Sequence, residues 1–280
     1  MAIKAFNTVE RIREAFSSGR FTLEAWKTYA AGISHSLASK CLDDAAQYDF
    51  EKEIVPVLEM AVQSVEKLAE LGRAFDAAMD KLEGNLPRLS DDSLEITVIL
   101  YLGMCNGAGW ATELDSRDTV LLGAEKIIEL NWCDARSLES LIFHEVGHLW
   151  HKAVGSFRFE THSAREKSLL QLYQEGVAMA CEHILCGNEE SYHQDDGEWL
   201  SWCRENEREL KREYLERMEA GDSTQDFFGD WNPYRGHSDV GYYLGSKFVS
   251  FLREKYTMRG IAGLPCQVLD AEFCSFASGE

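Results

Sequence analysis

His144-Glu145-Val146-Gly147-His148 sets two imidazoles four residues apart, with a carboxylate directly after the first. On an α-helix, residues at that spacing stand one above the other on a single face. One metal ion can take both rings as ligands, and Glu145 then lies beside it to accept a proton from a water on the metal. The flanking residues supply the helix. Asp134 is a side chain of the type that caps helix N-termini, and Ser137-Leu138-Glu139-Ser140-Leu141-Ile142-Phe143 is apolar enough for burial. Two His and a Glu inside the apolar part of a helix are costly unless satisfied, and coordination satisfies them. Gly147 costs roughly 1 kcal/mol relative to Ala within a helix, so it marks a close approach.

A hydrolytic metal site of this kind needs a third protein ligand and an open position. The extended pattern HExxHxxGxxH would require Gly at 151 and His at 154, where this chain has His151 and Val154. His151 follows His148 on roughly the same face and reads as a neighbouring polar group. The segment from Ser163 to Cys186 has no Pro and carries Leu169, Leu172, Tyr173, Ala180 and Ile184 as a helical stripe ended by Gly187. Glu175, at the edge of that stripe, is the candidate third ligand. Glu182, two turns later, is its substitute.

His144-Glu145-Val146-Gly147-His148 followed by Gln174-Glu175-Gly176-Val177-Ala178 resembles the gluzincin metallopeptidases, which use HExxH plus a downstream Glu. Aminopeptidases of the membrane-alanyl type carry that Glu in an N-E-G-x-A setting. A third piece, Gly241-Tyr242-Tyr243-Leu244-Gly245, is similar to the Y-x-x-G helix start of the same enzymes. Order and rough spacing agree over about residues 95 to 260, and small bacterial zinc proteases are similar in the same way. The resemblance implies a zinc ion held by His144, His148 and Glu175, and Glu145 as general base. It also implies Tyr242 as hydrogen-bond donor to the oxyanion of a peptide substrate. Tyr243 and His237 are the alternative donors.

The chain also departs from that pattern. The aminopeptidases bind the substrate amine with a Glu in a G-A-M-E-N edge strand. The nearest stretches here, Gly109-Trp110-Ala111-Thr112-Glu113 and Gly123-Ala124-Glu125, do not match it, which leaves exo- against endopeptidase open. Thermolysin-like enzymes place an Asp four residues after the ligand Glu, and Met179 stands there.

Periodicity divides the chain into three regions. Residues 1–90 read as helices covering a catalytic core, with apolar positions at Ile54, Leu58, Ala61, Val65, Leu68 and Leu71 between Phe50 and Leu82. Residues 91–187 begin with a strand over Ile96–Leu102, then a loop over Met104–Gly109. A hairpin about Asp115-Ser116-Arg117-Asp118 and the two motif helices follow. Residues 188–280 read as a helical subdomain carrying Tyr242, with a charged surface helix from Glu198 to Ala220 and an aromatic loop from Phe227 to Tyr234. The expected fold class is α+β and predominantly helical, with a small sheet leading into the HExxH helix as in a thermolysin-like core.

Composition narrows the functions. A net charge of −20 argues against nucleic-acid binding, because phosphates would be repelled. The N-terminus has no apolar secretory stretch and no run reaches membrane-spanning length. The 8 Cys form no CxxC pair, which suits a cytoplasmic protein with buried thiols. The expected function is a cytoplasmic zinc peptidase acting on peptides or proteins. The alternatives are a zinc-binding protein without peptidase activity and a zinc hydrolase with a non-peptide substrate; the oligomeric state is left open.

Overall fold

Glu95–Tyr101 forms strand β2, and its residues Val98, Ile99, Leu100 and Tyr101 are all buried, as expected of a strand covered on both faces. The computed structural model describes residues 2–89, 94–155, 161–229 and 232–279. It is α+β and predominantly helical, with one four-stranded mixed sheet. Two units divide it, 1–149 and 150–280, and the boundary falls inside one helix.

In the first unit the sheet runs β1-β2-β4-β3. Strand β1 (Ala2–Asn7) pairs in parallel with β2, Phe6 opposite Ile99. Strand β4 (Arg117–Gly123) is parallel to β2 on its other side, and β3 (Gly109–Leu114) pairs antiparallel with β4 at the edge. The β3–β4 hairpin closes through Asp115 and Ser116, both at positive φ (50° and 61°), the backbone of a tight turn matched to strand twist. Ser34 and Ser36 hydroxyls donate to the Asp115 carboxylate at 2.7 and 2.6 Å and tie the turn down.

Helices α1 (Val9–Ala15), α2 (Leu23–Ala31), α3 (Leu37–Ala45), α4 (Val55–Gln63) and α5 (Val65–Asn85) lie between β1 and β2 in the chain. They fix the end of β2: the Trp26 indole donates to Leu102 O at 2.8 Å, and the Leu102 N–H donates to the Tyr29 hydroxyl at 3.0 Å. The apolar pattern continues from Phe50 to Leu82, but Ser64 interrupts the helix at ψ 58°. Its hydroxyl donates to Met60 O at 2.7 Å, the back-bond that lets serine leave a helix. Phe50–Ile54 is a π-helical turn. Strand β1 is a further difference, since residues before 8 carry no pattern that marks a strand and Phe6 is 50% exposed. Helix α6 (Ala124–Glu129) follows β4, and α7 (Ala135–Val154) follows α6.

The second unit holds α8 (Ala164–Cys186), α9 (Trp199–Ala220), α10 (Val240–Arg253), α11 (Met258–Ala262) and α12 (Cys266–Ser278). Ser163 caps α8 by accepting from Glu166 N, and Gly187 ends it at φ 67°, both at the positions that the sequence indicates. Helix α9 is less bland than its charge pattern suggests: Cys203, Leu210, Tyr214 and Met218 are buried. Tyr214, Phe248, Phe273 and Phe276 form an aromatic cluster, with Phe248 and Phe273 edge-on at 5.2 Å. No helix of the described residues is long and apolar enough to cross a membrane.

Candidate functional site

Helix α7 starts where Asp134 caps it, its carboxylate accepting from Arg136 N at 2.9 Å and Ser137 N at 3.0 Å. Ten residues of helix then carry the chain to His144, deep in the unit and 2% exposed. The rings of His144 and His148 lie edge-to-face with centroids 4.8 Å apart, so helical spacing has put both imidazoles on one face. His148 is less enclosed than His144. Two imidazoles so paired could serve as two ligands of one metal ion.

Glu145 points to the sheet. Its Oε2 accepts the Ala111 N–H of edge strand β3 at 2.8 Å. It lies so close to Gly109 that a Cβ there would fall 2.7 Å from the Glu145 Cδ. Glycine at 109 is therefore what lets the carboxylate seat against the strand. The general-base candidate is thus held by a strand at the edge of the sheet. Sequence reading noted Gly109-Trp110-Ala111-Thr112-Glu113 only as a poor motif match. It missed the link to Glu145, because the pairing joins residues far apart in the chain and no local pattern encodes it.

In the second unit, the downstream pieces of the resemblance share a physical cause. Helices α8 and α10 cross at Gly176 and Gly245. A Cβ on Gly245 would lie 2.6 Å from Leu172 O and 2.9 Å from Gly176 N, and one on Gly176 would lie 2.6 Å from Gly245 C. Only two glycines permit backbones so close. Glu175, half-buried, precedes one glycine of this contact, and Tyr242 lies one turn before the other.

Tyr242 and Tyr243 part company at this point. Tyr243 is 0% exposed and donates its hydroxyl to Glu207 at 2.6 Å, and burial and that carboxylate raise its pKa. It is a core residue. Tyr242 is half-buried, its ring edge-on to His193 and to Phe228 at 5.9 Å each. His237 stacks on Trp202 with centroids 3.9 Å apart, a packing role.

Other polar residues of the second unit, His151 and Glu182 among them, are held in hydrogen bonds. The His151 Nε2 lies 3.2 Å from the Tyr173 hydroxyl, which itself donates to Ile261 O at 2.5 Å; the tyrosine oxygen therefore accepts from His151. Glu182, fully buried, meets His193 Nδ1 at 3.0 Å, and Gln194 Nε2 lies 2.8 Å from His193 Nε2. That donor from Gln194 places the imidazole proton on Nδ1, facing Glu182. His193 and Gln194 fall in the turns after Gly187, where periodicity gives no signal. Arg235 pairs with Glu209 and Glu213 at 3.1 and 2.9 Å and closes a surface network. Of the aromatic loop, Phe227, Phe228 and Tyr234 pack against Tyr214 and one another, while Asp230 and Trp231 lie outside the described residues.

Comparisons with known protein families, with curated proteins and with solved structures give no match.

Proposed function

We propose that the protein is a zinc-dependent hydrolase of gluzincin type, a peptidase, with His144, His148 and Glu175 as metal ligands. The observation that carries the reading is the pairing of the His144 and His148 rings on one face of α7, with Glu145 between them in sequence and held against an edge strand. Support for the third ligand is chemical. His144, His148 and Glu175 are one group of described side chains that could hold a metal ion. The other is His144, Glu182 and His193, in which Glu182 and His193 already bind each other. Two imidazoles and a carboxylate suit zinc.

Bound zinc would acidify a water and polarise a carbonyl. Glu145 accepts the proton of the attacking water and delivers it to the leaving amine, a role worth a factor of about 100 to 10,000 in rate. Tyr242 donates a hydrogen bond to the oxyanion. The main chain of β3 holds the substrate in extended form by backbone hydrogen bonds. Eight free cysteines, several of them buried, suit a reducing compartment, and we place the protein in the cytoplasm.

The test is zinc content by inductively coupled plasma mass spectrometry for the wild type beside Glu175→Ala, followed by a fluorogenic peptide library. One zinc per chain, lost in Glu175→Ala, with peptide cleavage by the wild type alone, is the expected result. Absence of zinc after reconstitution sinks the proposal. Zinc without cleavage of any peptide leaves a zinc-binding protein or a hydrolase of another substrate, and zinc retained in the variant moves the third ligand to Glu182 or His151.

A further inference from the structure

Glu125 is 0% exposed, in the first turn of α6, and its carboxylate faces the loop between β2 and β3. The Gly103 N–H donates to one of its oxygens at 2.7 Å and the Cys105 N–H to the other at 3.1 Å. That loop leaves β2 and passes its neighbour β4 to reach the sheet edge, so it sets where β3 begins. It is tightly held. Cys105 and Gly107 stand at positive φ, 60° and 129°. A Cβ on Gly103 would lie 2.5 Å from the Glu125 Oε1 and 3.0 Å from the Tyr101 hydroxyl. Asn106 donates to Cys41 O and to Asp44, both at 2.9 Å. Within six residues of the clamp, Gly109 and Ala111 receive Glu145.

We propose that Glu125 is a positioning residue for Glu145: by pinning the Gly103–Cys105 turn, it fixes the edge strand that holds the general base. The proposal rests on Glu145 being that base. Glu125 touches neither substrate nor metal ligand in this arrangement and acts through β3.

The groups that face Glu125 are Tyr101 from β2, Cys41 from α3, Tyr29 from α2 and Lys126 from α6. Burial raises both tyrosines and pushes the Cys41 thiol up to about 12, so these three stay neutral. Lys126 is paired with Glu129. Burial accordingly pushes Glu125 up to about 7, in spite of hydrogen bonds from the backbone N–H groups of Gly103, Cys105 and Glu125 itself. The sign follows by linkage. A loop that opens and wets Glu125 returns it to its ordinary value near 4.5, so opening becomes easier as pH rises from there to about 7 and levels off above.

Residue-resolved amide exchange on the zinc-loaded protein tests this, with wild type beside Glu125→Gln from pH 5 to 8 and kcat and KM on a cleaved fluorogenic peptide. In wild type, the opening constant at Gly103 and Cys105, corrected for intrinsic exchange, rises about tenfold per pH unit up to about pH 7. Glu125→Gln abolishes that slope, raises Ala111 exchange several-fold and lowers kcat about tenfold, with KM and zinc content unchanged. Gly103→Ala, which breaks the clamp from the loop side, reproduces the Ala111 and kcat effects. Changes confined to Gly103 and Cys105, or no change at all, overturn the proposal. A wild type without zinc or peptidase activity would end the hydrolase reading, while Ala111 exchange still decides whether Glu125 sets the strand.

Discussion

Glu145 sits where two demands meet: a carboxylate ready to take a proton and a backbone that must not be crowded. Glu145→Gln keeps the shape and removes the base, so cleavage falls by a factor of about 1,000 while zinc stays bound, read by kcat and metal analysis side by side. Gly109→Ala tests the seat itself. A methyl 2.7 Å from the Glu145 Cδ must displace either strand or carboxylate, and kcat falls with zinc content unchanged. The adjacent tyrosines should separate cleanly. Tyr242→Phe removes the proposed oxyanion donor and lowers kcat by about 100-fold. Tyr243→Phe removes one of two donors to Glu207, Lys211 remaining, and costs about 1 kcal/mol of stability, with kcat unchanged, measured by urea unfolding. Equal loss of kcat in both variants would refute this division of roles.

At the scale of elements, the crossing of α8 and α10 is a demanding contact in the second unit, since it brings main chain onto main chain. Gly176→Ala or Gly245→Ala should destabilise by about 1–3 kcal/mol, seen as a lower urea midpoint with an unchanged slope. This crossing also shows what was legible in the sequence. Helices α7 and α8 could be read from caps, glycines and apolar periodicity, because those signals are local: Asp134, Ser163 and Gly187 do what their residue types do anywhere. Strand β2 was legible from its unbroken apolar run. What stayed hidden was contact between distant segments. Strand β1 spans only six residues without a strand pattern and is defined by its partner. The grip of Ala111 on Glu145, the Glu182–His193 pair and the Glu125 clamp all join residues whose spacing has no period. Ser64 hid for the opposite reason: a single polar residue in a long apolar pattern reads as a surface position until its ψ is known.

For the molecule as a whole, buried and paired carboxylates pull stability in opposite directions with pH. Glu125, raised from 4.5 to about 7, contributes stability that is complete below pH 4.5 and lost as pH climbs through 7, on the order of 3 kcal/mol. Asp134, Asp196 and Glu213 are lowered despite any burial, by hydrogen bonds from backbone and side chains. Their contribution is present above the ordinary carboxylate range and lost in stronger acid. The metal-free protein should therefore be most stable near pH 5, and Glu125→Gln should flatten the decline between pH 5 and 7 in thermal melts with chelator. A net charge of −20 at pH 7 steepens the same decline through self-repulsion.

The parallel pairing of β1 with β2 also bears on how the chain reaches this fold. Ala2–Asn7 is synthesised before its hydrogen-bonding partner, which emerges only after α1 to α5 have been made. Those helices can form from local contacts as the chain leaves the ribosome, whereas β1 must wait as an unpaired ribbon with Phe6 exposed. Closing so long a loop makes completion of the sheet a late folding event. During that wait β1 is a free edge, open to pairing with another nascent chain.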